Sequence, residues 1–237
     1  MSTPSSSMSE AVEHIQARIA DAAVRSGRTA SDVQLIAVSK THPAEAIREA
    51  LECGLGVFGE SKLQEARAKI AESPSRARWH FIGHLQSNKV RPALPLFELF
   101  HSVDRLDLAS TINRIAGELG LFPRILLEVN MAGESSKFGF KPDELSEKIE
   151  PLLELDRLQI EGLMTIPPYA EDPEHSRPFF ARLRELRDDL ATRNNVRLDT
   201  LSMGMSGDFE VAIAEGATIV RIGTAIFGAR TYKKKDQ

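Results

Sequence analysis

Lys40 is the first residue of chemical interest. It ends the run Val-Gln-Leu-Ile-Ala-Val-Ser (33–39), and Thr41-His42-Pro43 follow it. A lysine there either closes a strand at the surface or stands, partly desolvated, at the mouth of a pocket. In the second case burial lowers its pKa and leaves a neutral amine suited to Schiff-base chemistry with a carbonyl compound. A second cluster joins Met203-Gly204-Met205-Ser206 to Arg221-Ile222-Gly223-Thr224. Glycine lets backbone N–H groups approach an anion, and serine and threonine add hydroxyl donors. Ser206 either caps the short helix that follows or binds that anion, and a cap can do both; Gly223 and Thr224 either turn the chain or bind it too. Arg221 interrupts an otherwise apolar strand and needs a partner there. That partner is a carboxylate such as Glu128 or Glu161, or a ligand atom at a pocket mouth. His42, His80, His84 and His101 fall near strand ends at spacings that match no metal motif, so structural or supporting roles are expected of them. Met203 and Met205 read first as packing residues.

These residues need a scaffold that brings strand ends together. Segments of strand character recur at 33–39, 57–59, 79–82, 99–103, 124–129, 158–164, 200–203 and 218–222. Helical patterns separate them at 43–51, 61–71, 105–119, 142–153, 173–191 and 207–215. Pro43 and Pro142 stand at helix starts, where proline is tolerated, and Gly216 follows a helix end. The stretch after Ile82 is broken by Pro92 and Pro95 and reads poorly. An additional amphipathic helix over 9–26 precedes the first strand, with Val12, Ile15, Ile19 and Ala23 on one face and Gly27 as its stop. Alternating β and α units imply a parallel sheet covered by helices. Eight units imply a (β/α)8 barrel, and the absence of Gly-x-Gly-x-x-Gly after the first strand argues against a dinucleotide-binding sheet. In such a barrel the site lies where the strands end, which is where Lys40, Ser206, Gly223 and Thr224 fall.

The bulk properties agree with one soluble domain. The 237 residues are close to the roughly 250 typical of the fold. The formal net charge is −4 and the basic residues are scattered, which excludes a dedicated nucleic-acid surface. A single cysteine, Cys53, cannot form an internal disulfide, and a reducing, cytoplasmic setting follows. No apolar run is long enough for a membrane span, and the polar first eight residues lack the apolar segment of a signal peptide. Residues 1–8 and 232–237 are expected to be polar tails around one domain at 9–231, the first of them disordered.

The sequence resembles the pyridoxal phosphate (PLP) homeostasis protein family. The resemblance rests on Leu-Ile-Ala-Val-Ser-Lys-Thr (35–41), Phe-Gly-Glu (58–60), Trp-His-Phe-Ile-Gly (79–83) and Leu-Gln-Ser-Asn-Lys (85–89). It continues through His-Ser-Val-Asp-Arg (101–105), Gly-Leu-Met-Thr-Ile-Pro (162–167) and Leu-Ser-Met-Gly-Met-Ser (201–206) to Val-Arg-Ile-Gly-Thr-Ala-Ile-Phe-Gly-Ala-Arg (220–230). It implies a single-domain barrel of PLP fold type III, similar to the N-terminal domain of alanine racemase. It implies that Lys40 holds PLP as a Schiff base and that Ser206, Gly223 and Thr224 hold the phosphate. Arg221 would face the pyridine nitrogen, with Ser61, His80 and Met203 as further cofactor contacts. Two positions depart from the family pattern: Ser61 stands where asparagine is usual, and His84 where proline is common.

The resemblance also implies a role. An arginine beside the pyridine nitrogen keeps it unprotonated and makes the ring a weak electron sink. A racemase needs a second acid–base group opposite the lysine, and alanine racemase takes a tyrosine from a separate β-domain. The tyrosines here are Tyr169 and Tyr232. The expected function is therefore intracellular PLP homeostasis: a monomer that buffers PLP or delivers it to PLP-dependent apo-enzymes, without robust catalysis. A weak amino-acid racemase is the alternative. An aldolase that uses Lys40 without PLP is a third reading.

Overall fold

In a computed structural model, described here for residues 7–134 and 136–228, eight parallel strands close into a barrel in sequence order. The strands are β1 (Gln34–Val38), β2 (Val57–Glu60), β3 (Arg78–Phe81), β4 (Leu99–Val103), β5 (Arg124–Glu128), β6 (Gln159–Met164), β7 (Thr200–Met205) and β8 (Ile219–Ile222). β8 pairs with β1 and closes the ring. The helices are α1 (Met8–Arg25), α2 (Ala44–Glu52), α3 (Leu63–Glu72), α4 (Val90–Ala93), α5 (Leu106–Leu119), α6 (Pro142–Leu153), α7 (Arg177–Asn194), α8 (Phe209–Ala214) and α9 (Thr224–Phe227). The expected (β/α)8 barrel with an extra N-terminal helix is the observed fold.

That first helix starts one residue earlier than its sequence pattern suggests, inside the stretch expected to be a tail. Ser7 and Glu10 form a reciprocal capping box that satisfies two otherwise unpaired N–H groups. Residues 1–6 and the expected tail at 232–237 lie outside the described residues. The helix buries Val12, Ile15, Ile19, Ala22 and Ala23 and packs against α8 and α9. Arg18 makes a two-pronged bond to Glu210 and lies over the Phe209 ring.

Alternation along each strand divides the core into two layers. Outward residues such as Ala37, Phe58, Phe100, Leu127, Leu163 and Val220 meet the helices in one continuous cluster. Inside the barrel, Ile36, Val57, Leu99, Leu126, Met164 and Ile219 form a separate apolar plug. Each is 5 % exposed or less, so each contributes on the order of 2 kcal/mol of burial. β3 and β7 put no apolar side chain into that plug. They contribute His80 and Ser202, whose register partners are Leu99 and Ile219. A polar layer therefore sits among the plug residues, within the barrel.

The poorly legible stretch resolves into a 3-10 turn at Ser87–Lys89 and the short α4. Pro92 lies in the first turn of α4, where a missing N–H costs nothing. Among the described residues, no helix is long and apolar enough to cross a membrane.

Candidate functional site

The C-terminal ends of the strands surround a cavity of about 690 Å³. Lys40, Ser206, Arg221, Gly223 and Thr224 all line it, so the two clusters read from the sequence meet in one place. Lys40 is half-buried and immediately follows the fully buried Ser39. Gly223 lies against β1, where an added Cβ would come within 3.1 Å of the Val38 carbonyl oxygen. Thr224 follows as the first residue of α9.

Ser206 does not cap the following helix. α8 begins three residues later, and Asp208 occupies the capping position. The Asp208 carboxylate accepts a bond from the Met205 N–H at 2.7 Å and tightens the turn that presents Ser206. That turn depends on Gly204, whose φ is +93° and whose Cβ would lie 2.6 Å from the Ala212 methyl group. A larger residue would push the end of β7 away from α8.

Arg221 is 4 % exposed and forms no ion pair with Glu128 or Glu161. Glu161 pairs with Arg124 instead. The Arg221 guanidinium donates to the Ser202 carbonyl oxygen at 3.0 Å, the Ser202 hydroxyl at 2.6 Å and the Thr165 carbonyl oxygen at 2.9 Å. Burial lowers its pKa to about 10, opposed by the charges of Glu128 and Asp208, so it remains a cation at neutral pH. Arginine is the residue type that stays charged in such surroundings.

The polar layer continues from Arg221 into the barrel. His101 Nδ1 is 2.9 Å from the Ser202 hydroxyl, and His101 Nε2 is 3.0 Å from His80 Nδ1. Arg221 can only donate. Ser202 accepts from it and donates its O–H to His101 Nδ1, and His101 Nε2–H donates to His80 Nδ1. In that arrangement each proton along the row has an acceptor. Burial holds both imidazoles neutral: it pushes His80 down to about 3 and His101 well below the usual histidine range. Glu128, half-buried on β5, is pushed up to about 7 by burial and then by the Asp104 carboxylate, against the pull of Arg221.

Three further residues read from the sequence lie elsewhere. Ser61 lines a separate cavity of about 400 Å³ with Lys62, His84 and Lys89. His80 lies inside the barrel and reaches Arg221 only through His101 and Ser202. Met203 is fully buried in the layer between barrel and helices. Conversely, the sequence reading did not single out Ser202, Thr165 or Lys137. Lys137 lines the main cavity and forms an ion pair with Glu134 at 2.7 Å. Its signal was available, because it falls in the polar loop after β5. Tyr169 also lines the cavity but is 93 % exposed, on its outer rim. Among the described residues, no three His, Cys, Asp or Glu side chains converge as a metal site.

Comparison with known proteins places this geometry in context. Residues 12–231 match the family model described as alanine racemase, N-terminal domain. A pyridoxal phosphate homeostasis protein from Aquifex aeolicus is 49 % identical over 224 residues, covering 94 % of this chain and 98 % of the relative. The PLP-bound structure of PipY from Synechococcus elongatus is 44 % identical, with a TM-score of 0.79, covering 90 % of this chain and all of that one. An alanine racemase from Clostridium difficile shares the fold at 16 % identity and a TM-score of 0.72, matching 58 % of its own length.

Proposed function

This chain belongs to the pyridoxal phosphate homeostasis protein family, and on that premise we propose that its barrel mouth holds PLP through Lys40 and stores or delivers it. The observation that carries the reading is the convergence of Lys40, Arg221, Ser206, Gly223 and Thr224 on one cavity. The residues suit the molecule. A lysine amine serves the aldehyde, while hydroxyls and a glycine-lined turn serve a phosphate. A cation without a carboxylate partner among the described residues serves the ring nitrogen. When bound, PLP supplies an electrophilic aldehyde and a ring able to accept electrons.

The protein's own groups favour holding over catalysis. Arg221 donates and stays charged, so a ring nitrogen facing it remains unprotonated and draws electrons weakly. His80 and His101 are neutral and lie within the barrel. Tyr169 is solvated on the rim rather than fixed across the cavity. The reading extends to a cytoplasmic monomer that passes PLP to apo-enzymes requiring it.

Reconstitution tests the reading. Wild type mixed with PLP is expected to gain the visible absorbance of a lysine-bound cofactor, and Lys40→Ala to lack it. Incubation with amino acids in deuterated water is expected to give no appreciable Cα exchange. Exchange on the order of one turnover per second or faster would make the protein a racemase instead.

A further inference from the structure

Lys40 is held from both sides by a single helix. On one side, Lys69 Nζ donates to the Ser39 carbonyl oxygen at 2.7 Å. On the other, the Thr41 N–H donates to Glu65 Oε1. Glu65 and Lys69 are one turn apart on α3 and bond to each other at 3.2 Å. Lys69 also donates to Glu60 Oε1 at 2.5 Å, and the Ser39 hydroxyl donates to that same oxygen at 2.6 Å. All three ammonium protons of Lys69 thus have acceptors, and the Lys69–Ser39 and Glu65–Thr41 bonds bracket Lys40 in the chain.

Two features show that this assembly does more than fill space. The first is its burial. Ser39 and Glu60 are fully buried and Lys69 is 5 % exposed. Desolvating an ammonium and a carboxylate is costly, and apolar residues of similar volume often stabilise a core as well or better. The second is the backbone between the two anchors. Thr41 has φ +71°, in the left-handed region. A β-branched residue is strained there, and strain of that kind persists only where surrounding contacts enforce it. Asn195 is the other non-glycine residue with positive φ among those described, and it closes α7, a position that suits asparagine. Thr41 has no such excuse from its residue type. The turn closes on a bond from the His42 N–H to the Ser39 carbonyl oxygen at 3.0 Å, a closure that calls for positive φ at its third residue, and the contacts from α3 fix its two sides.

We propose that Glu65 and Lys69 are positioning residues that hold the segment 39–41 in its strained turn and so set the rate at which Lys40 captures and releases an aldehyde. The inference rests on the proposed role of Lys40. In the capture step the lysine Nζ bonds to the aldehyde carbon, the carbonyl oxygen leaves as water with the two amine protons, and release is the reverse. No oxidant or reductant is involved. The clamp contributes no atom to this exchange. It fixes where the amine starts.

The test uses full-length apo-protein and PLP. Glu65→Leu removes the Thr41 anchor at a half-buried position. Lys69→Met combined with Glu60→Gln removes the other anchor without leaving a lone buried charge. Each is expected to slow capture, followed by visible absorbance in stopped flow, by about tenfold or more. Each is also expected to speed hydrogen exchange of the Thr41 amide in the apo-protein by about tenfold. Adding Thr41→Gly should restore most of the capture rate, because glycine adopts positive φ without strain. Folded variants that capture PLP at the wild-type rate would overturn the proposal, as would failure of Thr41→Gly to restore it. A wild type that never captures PLP would instead overturn the role of Lys40 itself.

Discussion

Two buried cations flank the barrel mouth, and they are built differently. Lys69 lies between β2 and α3 with two carboxylates on its ammonium group, Glu60 and Glu65. Arg221 lies inside the barrel and, among the described residues, donates to neutral oxygens, from Ser202 and Thr165. Coulomb attraction in a low-dielectric site is strong, so the charge of Lys69 is largely neutralised where it sits. The charge of Arg221 is held in place by dipoles and stays available to an approaching ligand. The contrast separates a cation that positions the chain from one that faces the cavity.

The largest expected effect breaks the neutral surroundings of Arg221. His80 is held near a pKa of about 3, against 6.5 when exposed. The unfolded chain therefore takes up a proton below pH 6.5 that the native state refuses until about pH 3. Its contribution to stability is intact above pH 6.5 and is lost as the pH falls through that window, by about 5 kcal/mol at the acid end. His101, shifted the same way, adds to the loss. Urea unfolding at a series of pH values between 7 and 4 should show it, and His80→Gln should flatten the slope.

Next in size is Lys69→Met alone. It leaves Glu60 buried without its counter-ion, and one of the Glu60 carboxylate oxygens already has no hydrogen-bond partner among the described residues. The expected cost is about 3 kcal/mol in denaturant unfolding, with most of it recovered when Glu60→Gln is added. Recovery would mark Lys69 as a charge matched to a charge. Smaller still is Ser202→Ala, which removes one neutral acceptor from Arg221 and the link to His101. A loss of about 1.5 kcal/mol is expected, read from the same unfolding curves. If Ser202→Ala cost as much as Lys69→Met, the two cations would not differ as described.

Much of this architecture was legible in the residues themselves. The bounds of β4 and α6 coincide with their sequence patterns, because a five-residue buried run and a proline-initiated amphipathic segment have sharp edges. Lys40, Arg221, Gly223 and Thr224 were legible because a barrel gathers strand ends, so sequence position alone implies proximity. The partners of Arg221 were not legible. Glu128 and Glu161 were reasonable candidates by charge, but the strand register delivers Ser202 and Thr165 instead. Ser206 could be read as a helix cap or an anion donor; β7 runs on through Met205, α8 starts only at Phe209, and Asp208 takes the N-cap position. Lys69 lay in a charged helical stretch that reads as solvated, and only the packing of α3 on β2 reveals that it is buried.

The central claim, that Lys40 captures PLP at the barrel mouth, is tested most directly by borohydride reduction of the PLP-loaded protein followed by peptide mapping. A reduced pyridoxyl phosphate group is expected on Lys40, with little on Lys69 or Lys137. A label found mainly on another lysine, or no label at all, would contradict the account.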